Sequence, residues 1–269
     1  MRIIHAGRSG DIALATALRG LVEEPIQWEV SARFGQALDD VRDVRQHYFT
    51  QGVNPDNLQA VTAELKAQFP DGVTPAPYMN LHLLNAGCPI GLVPPRSLGL
   101  DPDPKTVRPI IAFTEHEAEY VRSALPKKRM PRVMLETRQF SNQSPWHEGT
   151  TITIMRMFRD AEIEAVLPGA GDEEIALAVG YAHRIPIRDR FNYREVSEVY
   201  NHCDAYVGCA SGAGVMGLAT RCRVILRIEL LRPERRHWSS EYLGEPKTHV
   251  VTHEADLLAE VQALIGRIR

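Results

Sequence analysis

The chain has 269 residues, of which 24% are charged and 44% hydrophobic, and its formal net charge at pH 7 is −3. These proportions are typical of a soluble globular protein, and they exclude a disordered chain or one coated with positive charge for bulk nucleic-acid binding. No apolar run is long enough to cross a bilayer. The four cysteines form no CxxC pair, which predicts buried, reduced thiols in a cytoplasmic protein and no zinc ribbon. The length predicts two domains of roughly 130 residues each.

The first half of the chain begins with a strand, a small-residue turn and a helix, in that order. The strand is predicted at 2–5, the turn at 6–11, and apolar residues then recur at helical spacing up to Val22. Further strands are predicted at 26–30 and 110–113, and helices at 57–69 and after Thr114, which begins a capping box. This order is typical of parallel α/β structure.

The second half repeats the alternation of strands and helices. Strands are predicted at 132–136, 163–167, 185–187, 204–208, 224–228 and 249–251, and helices at 150–159, 175–181, 192–202, after Ser211 and at 257–268. Asn192 and Glu195 predict a second capping box, led by Asn, at the start of the helix at 192–202. A polar, proline-flanked segment at 126–131 predicts the domain boundary. The expected fold is therefore α/β, with Rossmann-like domains at 1–126 and 127–269 that face each other across a cleft.

The first candidate site is the loop from Gly7 to Asp11. It follows the first predicted strand, where open α/β sheets bind their ligands, and Gly7 and Gly10 allow tight turns. Two interpretations of Asp11 stay open. It is either an acid that stabilises the start of the next helix or a general base that faces the cleft.

The second candidate site contains a formal GxGxxG pattern at Gly212, Gly214 and Gly217, which follows a predicted strand and begins a helix. Its backbone amides fit the phosphates of a mononucleotide half-site. Two alternatives remain: close helix–strand packing through small residues, and a dinucleotide site in which Glu229 binds ribose.

A third cluster follows the first strand of the second half. Glu136, Arg138 and Ser141 fit phosphate or ribose, although a solvated loop has the same composition. Arg232 to His237 form a basic cluster that we interpret as a surface loop. His249 and His253 flank a strand rather than share a helix face, so no metal site is predicted.

These residues resemble the ADP-heptose:lipopolysaccharide heptosyltransferase family, whose members have the GT-B glycosyltransferase fold. The resemblance is carried by the segments 8–19, 113–117 with 133–135, 166–173, and 198–208 with Ser211, Gly212 and 218–219. It departs from the family where Cys209 and Ala210 precede Ser211 in place of the usual Asp, and where no His follows. The segment 80–106 is also short for an acceptor side.

The resemblance implies a role for each matching residue. Asp11 would deprotonate the acceptor hydroxyl, Ser211 and Gly212 would contact the donor diphosphate, and the nucleoside would lie near Pro168. The predicted residues that bind substrate or donor are then Gly7, Arg8, Ser9, Gly10, Glu136, Arg138, Ser141, Pro168, Gly169, Ser211, Gly212, Ala213 and Gly214. The first domain would hold the acceptor and the second the nucleotide sugar.

The leading hypothesis is a glycosyltransferase that moves a sugar from a nucleotide-diphosphate donor to a hydroxyl acceptor, with no metal and no resident cofactor. The acceptor would be a glycan or a small molecule, with DNA carrying modified bases as a less favoured variant. Two alternatives come from other classes. One is an NAD-type enzyme that uses the Gly212, Gly214 and Gly217 loop, and the other is a degenerate transferase that only binds.

Overall fold

The computed structural model describes residues 1–7, 9–32, 38, 44–47, 57–88, 90–104, 106–137, 146–209, 212–220, 222–227, 248–251 and 253–269. Within these ranges no helix combines the length and the apolar character needed to span a bilayer. All four cysteines are buried and none forms a disulfide, as the sequence predicted.

The chain divides into two compact units, and the boundary falls between Ala112 and Phe113. The sequence prediction placed this boundary at 126–127, so the helix that follows Thr114 belongs to the second unit rather than to the first. That helix packs on a later helix of the second unit, and an ion pair between Glu117 and Arg194 joins the two.

The first unit contains a parallel sheet whose described strands are β1 (Arg2–His5), β2 (Gln27–Ser31) and β3 (Val44–His47), in that order across the sheet. A parallel bridge from Ile3 to Val73 lies on the other side of β1. The bridge is held by two backbone hydrogen bonds, from Ile4 to Val73 at 2.8 Å and from Val73 to Arg2 at 3.0 Å. The first strand is therefore internal, with pairing on both edges.

Four helices of the first unit are described, together with short 3-10 turns. They are α1 (Ser9–Ala15), α2 (Leu58–Gln68), α3 (Leu81–Asn85) and α4 (Val93–Ser97). Asn57 caps α2 by accepting the amide hydrogen of Ala60 at 3.1 Å. Val61 and Leu65 on one face of α2 pack against Ile4 and Ala6 at the end of β1, so α2 covers the sheet beside the candidate site.

The prediction of a strand at 110–113 is wrong. The backbone there is not part of a sheet, because side chains bind its polar groups in place of a neighbouring strand. The amide of Ile110 donates to Thr16 Oγ1 at 2.9 Å, and its carbonyl accepts from Arg19 at 3.0 Å. Local hydrophobicity predicted a strand here, but the described backbone pairs with no other strand.

The second unit contains a six-stranded, wholly parallel sheet in the order β6-β5-β4-β7-β8-β9. Its strands are β4 (Arg132–Glu136), β5 (Glu164–Leu167), β6 (Arg184–Pro186), β7 (Ala205–Cys209), β8 (Arg223–Arg227) and β9 (Thr248–Val251). In chain order this is the 3-2-1-4-5-6 arrangement of a doubly wound Rossmann sheet. The strand order reverses between β4 and β7, and ligands of such sheets bind outside the carboxyl ends at that point.

The second unit's described helices are α5 (Glu115–Ala124), α6 (Glu148–Asp160), α7 (Ala170–Ala178), α8 (Tyr193–Asn201), α9 (Gly212–Ala219) and α10 (Glu254–Ile268). Helices α6 and α10 pack on the central strands. The wholly buried residues of this core include Val133, Leu135, Ile154, Phe158, Val207, Val261 and Leu264. Burial on both faces explains why the central strands are continuous apolar runs rather than alternating ones.

The amino-terminal ends of the central strands are fixed around Arg132, which is wholly buried. Its guanidinium donates to Glu164 on β5 at 2.8 Å and to the carbonyl of Pro126 at 2.8 Å. Its backbone amide donates to the Asp204 carboxylate at 2.8 Å, and the amide of Asp204 donates back to the Arg132 carbonyl at 2.7 Å. One residue thereby holds the starts of β4, β5 and β7 together.

Both predicted capping boxes are confirmed. Thr114 accepts from the amide of Glu117 at 3.2 Å, and the Glu117 carboxylate accepts from the amide of Thr114 at 2.7 Å. Asn192 and Glu195 form the same reciprocal pair at the start of α8. Helix starts of this kind are specified by residues three positions apart, so the sequence alone reveals them.

We predict that Thr114→Ala lowers the free energy of unfolding by about 1 kcal/mol, because the first turn of α5 loses its cap. Urea titration of both proteins measures the difference. Ser123→Ala is the matched control, since its exposed hydroxyl only bonds the preceding turn of the same helix. An equal loss in the two variants would contradict a special role for the cap.

Candidate functional site

In the first unit, the predicted strand–turn–helix element is confirmed. Strand β1 ends at His5, and α1 begins at Ser9, so Gly7 and Gly10 border the turn as expected. Asp11 lies half-buried in the first turn of α1, at the carboxyl end of an internal strand. This is the edge of a parallel sheet at which ligands are bound.

The turn requires glycine at position 7. A Cβ atom at Gly7 would lie 2.6 Å from His5 Cε1 and 2.8 Å from the Cβ atom of Asp11, both closer than real contacts allow. The amide of Gly7 donates to His5 Nδ1 at 3.2 Å. The imidazole and the backbone of the turn therefore fix the start of the helix that carries Asp11.

His5 is wholly buried, and burial lowers its pKa to about 3, so the ring is neutral. Because Nδ1 accepts a hydrogen bond, the ring hydrogen is on Nε2. Among the described residues, His5 Nε2 has no hydrogen-bond partner. Any proton added to this ring would bring a charge into a buried site.

Tyr78 joins the same turn from the other side. Thr62 donates its hydroxyl hydrogen to Leu58 at 2.7 Å, so the 3.2 Å contact between Thr62 and Tyr78 has the phenol as donor. The backbone of Ala6 also hydrogen-bonds the phenol oxygen, and the Tyr78 ring meets His5 edge-on at 6.3 Å. Burial, together with the nearby charge of Asp11, raises the pKa of Tyr78 to about 12. Helix α2 is thus connected to the exit of β1 through a chain of hydroxyls.

In the second unit, the site is organised by Thr137, directly after β4. Its amide donates to the wholly buried carboxylate of Asp172 at 3.0 Å, and its hydroxyl donates to the same carboxylate. Its own oxygen accepts the hydroxyl of Thr151 at 3.0 Å, and its carbonyl accepts the thiol of Cys209 at 3.5 Å. The exits of β4, β5 and β7 are therefore connected through one residue.

Glu136 lies half-buried at the last position of β4, where the strand order reverses. Its carboxylate accepts the hydroxyl of Tyr206 at 2.7 Å, and the same hydroxyl lies 3.0 Å from the carbonyl oxygen of Cys209. A Cβ atom on Gly208 would lie 2.3 Å from that phenol oxygen. Glycine at 208 thus leaves the space through which Tyr206 reaches the neighbouring strand.

The glycine-rich segment forms the helix start that the sequence predicted. Helix α9 begins at Gly212, three residues after the end of β7, and both Gly214 and Gly217 are buried. The amides of its first turn are not used within the helix, and the helix dipole favours an anion there. Small buried residues also fit the packing interpretation, and the two roles are compatible.

The predicted donor residues of the second unit converge on one edge of its sheet. Glu136 ends β4, Pro168 and Gly169 follow β5, and Gly212 to Gly214 begin the helix after β7. Gly169 precedes the first residue of α7, and a Cβ atom there would lie 3.3 Å from Asp172 Oδ2. The predicted residues that lie outside the described ranges are Arg8, Arg138, Ser141, Ser211, Glu229 and the cluster from Arg232 to His237.

The topology weighs against the dinucleotide alternative. In dinucleotide-binding Rossmann domains, the glycine-rich turn follows the first strand of the sheet. Here the first strand is β4, and Glu136 and Thr137 follow it, whereas the GxGxxG pattern follows β7, the fourth strand in chain order. Within the described ranges, no group of three or more His, Cys, Asp or Glu side chains has a metal-binding arrangement.

The fold is the α/β fold of GT-B glycosyltransferases, with a parallel sheet in each unit. Over 99% of its length, the chain superposes on 98% of the E. coli ADP-heptose LPS heptosyltransferase II, with a TM-score of 0.69 and 15% sequence identity. A glycosyl transferase family 9 protein from Veillonella parvula is also similar, with a TM-score of 0.64 and 12% sequence identity. The superposition covers 100% of this chain and 90% of the Veillonella chain.

The E. coli heptosyltransferase WaaC, solved with ADP, superposes on this chain over the full length of both chains, with a TM-score of 0.61 and 14% sequence identity. No protein-family model matches the sequence, and no curated protein sequence matches it either. The similarity is therefore one of fold, and it confirms the GT-B architecture that the sequence resemblance implied.

Three contacts of the site were not predicted. Tyr206 was within a predicted strand and Asp172 within the segment 166–173, whereas Tyr78 was in no predicted element, and nothing local distinguished the three. Their partners are distant in sequence, from Thr62 to Tyr78, from Glu136 to Tyr206 and from Thr137 to Asp172. The order of the strands brings these residues together.

We predict that His5 makes the protein sensitive to acid. The unfolded ring takes up a proton below its ordinary pKa of 6.5, whereas the folded ring stays neutral down to about 3, so stability is retained above pH 6.5 and lost as the pH falls. Between pH 7.5 and pH 5, this linkage amounts to about 2 kcal/mol.

Urea titration at the two pH values tests this prediction. His5→Asn keeps an acceptor for the Gly7 amide but cannot titrate, so it should lose about 2 kcal/mol less than the parent on acidification. His82→Asn, at an exposed histidine of α3, is the control and should behave like the parent. An equal loss in the parent and His5→Asn would exclude His5 as the cause.

Proposed function

We propose that the protein is a glycosyltransferase that moves a sugar from a nucleoside-diphosphate donor to a hydroxyl acceptor. The observation that carries the proposal is the fold shared over 99% of the chain with an ADP-heptose heptosyltransferase. Two features of the chain itself support it. Each unit has its candidate residues at the carboxyl edge of a parallel sheet, and each edge includes an acid that the fold holds in place.

On the acceptor side, we assign the general base to Asp11. Its carboxylate would take the proton of the acceptor hydroxyl as the oxygen forms a bond to the anomeric carbon of the donor sugar. The bond between that carbon and the diphosphate oxygen breaks, and its electron pair leaves with the nucleoside diphosphate. The fixed Gly7 turn supports this role, because the hydrogen bond from the Gly7 amide to His5 Nδ1 holds the chain just before the helix that carries Asp11.

On the donor side, we assign the diphosphate to the amino-terminal end of α9, beginning at Gly212. The helix dipole at this end would stabilise the negative charge that develops on the leaving group. Preorganised donors of this kind supply the stabilisation in our proposal, which includes no resident metal and no resident cofactor. Pro168 and Gly169, at the exit of β5, would border the nucleoside.

We predict that a nucleoside diphosphate stabilises the folded chain and that NAD does not. A ligand that binds only the native state raises the melting temperature, by an amount that grows with its concentration above Kd. Thermal-shift measurements with ADP, UDP, GDP and NAD test this directly. Stabilisation by NAD alone would replace the proposal with the dinucleotide alternative, and no shift with any of the four would contradict a nucleotide site.

We predict that Asp11→Asn lowers the transfer rate by about a hundredfold or more, on the usual scale of general-base effects, and leaves nucleotide binding unchanged. The assay measures nucleoside-diphosphate release from the glucose conjugate of the best-binding nucleotide, with a panel of glycan and small-molecule acceptors. Asp71→Asn is the matched control, because Asp71 makes only an exposed ion pair with Arg2. Transfer at the parent rate in Asp11→Asn would remove this residue from the mechanism. Nucleotide binding without transfer to any acceptor in the parent would instead favour a binding-only protein.

A further inference from the structure

Two side chains of the first unit occupy consecutive backbone amides of the turn that precedes Asp11. The amide of Gly7 donates to His5 Nδ1 at 3.2 Å, and the backbone of Ala6 hydrogen-bonds the phenol oxygen of Tyr78. The Ala6 contact acts to lower the pKa of the phenol, so the backbone group is the N–H donor rather than the carbonyl. Amides at such a strand exit often bind a ligand anion. Here these two amides hold the turn itself.

The fold keeps His5 at a cost to its own stability. The side chain is wholly buried, and its Nε2–H has no hydrogen-bond partner among the residues that the structure describes. A buried donor without a partner is destabilising, and native proteins rarely retain one without a reason. Local rules of this kind are broken mainly at functional sites. The one hydrogen bond that the imidazole makes is the Nδ1 contact, and that contact goes to the turn.

The turn connects both side chains to Asp11. A Cβ atom built on Gly7 would lie 2.6 Å from His5 Cε1 and 2.8 Å from Asp11 Cβ, so the imidazole and the acid pack against the same backbone position. Burial first, and then the charge of Asp11, raises the pKa of Tyr78 to about 12, so this phenol lies near the carboxylate. Thr62 on α2 fixes the phenol in turn. A shift of the turn would therefore move Asp11.

We propose that His5 and Tyr78 are positioning residues, which set the place from which Asp11 takes the acceptor proton. They act by holding the amides of Gly7 and Ala6. This inference rests on the proposed function. Neither side chain exchanges a proton in the reaction, since burial keeps His5 neutral down to a pKa of about 3 and keeps the phenol of Tyr78 protonated. A small displacement of a catalytic group lowers kcat even where substrates still bind.

The test compares the parent with His5→Leu, Tyr78→Phe and the double variant in the transfer assay used for Asp11→Asn. Each single change removes the acceptor of one amide, of Gly7 or of Ala6, and keeps most of the buried volume. A lost hydrogen bond corresponds to about tenfold, so each should lower kcat by about that factor and leave the acceptor KM and the nucleotide affinity unchanged. Because both side chains act on one turn, the double variant should lose less than the product of the two single losses.

His5→Asn separates the Nδ1 contact from titration. Asparagine offers the Gly7 amide an acceptor two residues back along the chain, so kcat should stay within about threefold of the parent. The acid limb of the pH–rate profile should also keep its position, because His5 is neutral in the parent throughout that range. Loss of that limb in His5→Asn would make His5 the proton acceptor and would overturn the positioning role.

Val107→Ala is the control for stability, since Val107 is a buried residue of the first unit outside the turn. It should lower the melting temperature without lowering kcat. An equal loss of kcat in Val107→Ala and His5→Leu would assign the effect to stability and overturn the inference. If His5→Leu does not fold, Tyr78→Phe and His5→Asn still decide the question.

Parent values of kcat in both single variants would overturn this inference and leave the proposed function intact. Full additivity in the double variant would also overturn it, because the two side chains would then act at independent places. If the parent transfers sugar to no acceptor, the proposed function fails and this inference fails with it.

Discussion

The candidate donor site depends on the buried pairing of Thr137 with Asp172. In a parallel sheet, a loop follows the carboxyl end of each strand. Such loops are more mobile than the strands, unless hydrogen bonds connect one loop to another. Asp172 accepts both the amide and the hydroxyl of Thr137, so the exit of β4 and the first turn of α7 cannot move independently. Without this pairing, a buried carboxylate would lose two hydrogen bonds, at a cost of about 3 kcal/mol or more. The pairing thereby fixes Glu136 and Gly169, which lie beside Thr137 and Asp172, relative to each other.

The two units hold an acidic side chain at the carboxyl edge of a sheet by different means. In the first, the acid that follows the strand is held by glycine packing and a neutral histidine, with Tyr78 connecting the turn to α2. In the second, a tyrosine from the neighbouring strand orients the acid. A half-buried carboxylate thus stands at the carboxyl edge of each sheet.

Local patterns were enough to predict most of the second sheet. Strand β4 was predicted with its observed bounds, and both capping boxes were correct, because a short apolar run and residues three apart carry those signals. The prediction was wrong at 110–113, where Thr16 and Arg19 bind the backbone in place of a strand. The contacts of Tyr78, Tyr206 and Asp172 could not be predicted, because their partners become neighbours only after the strands are ordered. Hydrophobic periodicity records which face is buried, but not which distant side chain lies beside it.

The position of Arg132 has a consequence for how the chain is made. Its bond to Asp204 spans 72 residues, so β4 leaves the ribosome long before β7 exists to pair with it. At the usual 5–20 residues per second, that interval is roughly 4 to 14 s. Helix α6 and strand β5 are synthesised before β7, so they can cover one face and one edge of β4 in that interval. The Arg132–Glu164 ion pair, which joins β4 to β5, can therefore form before β7 pairs with β4.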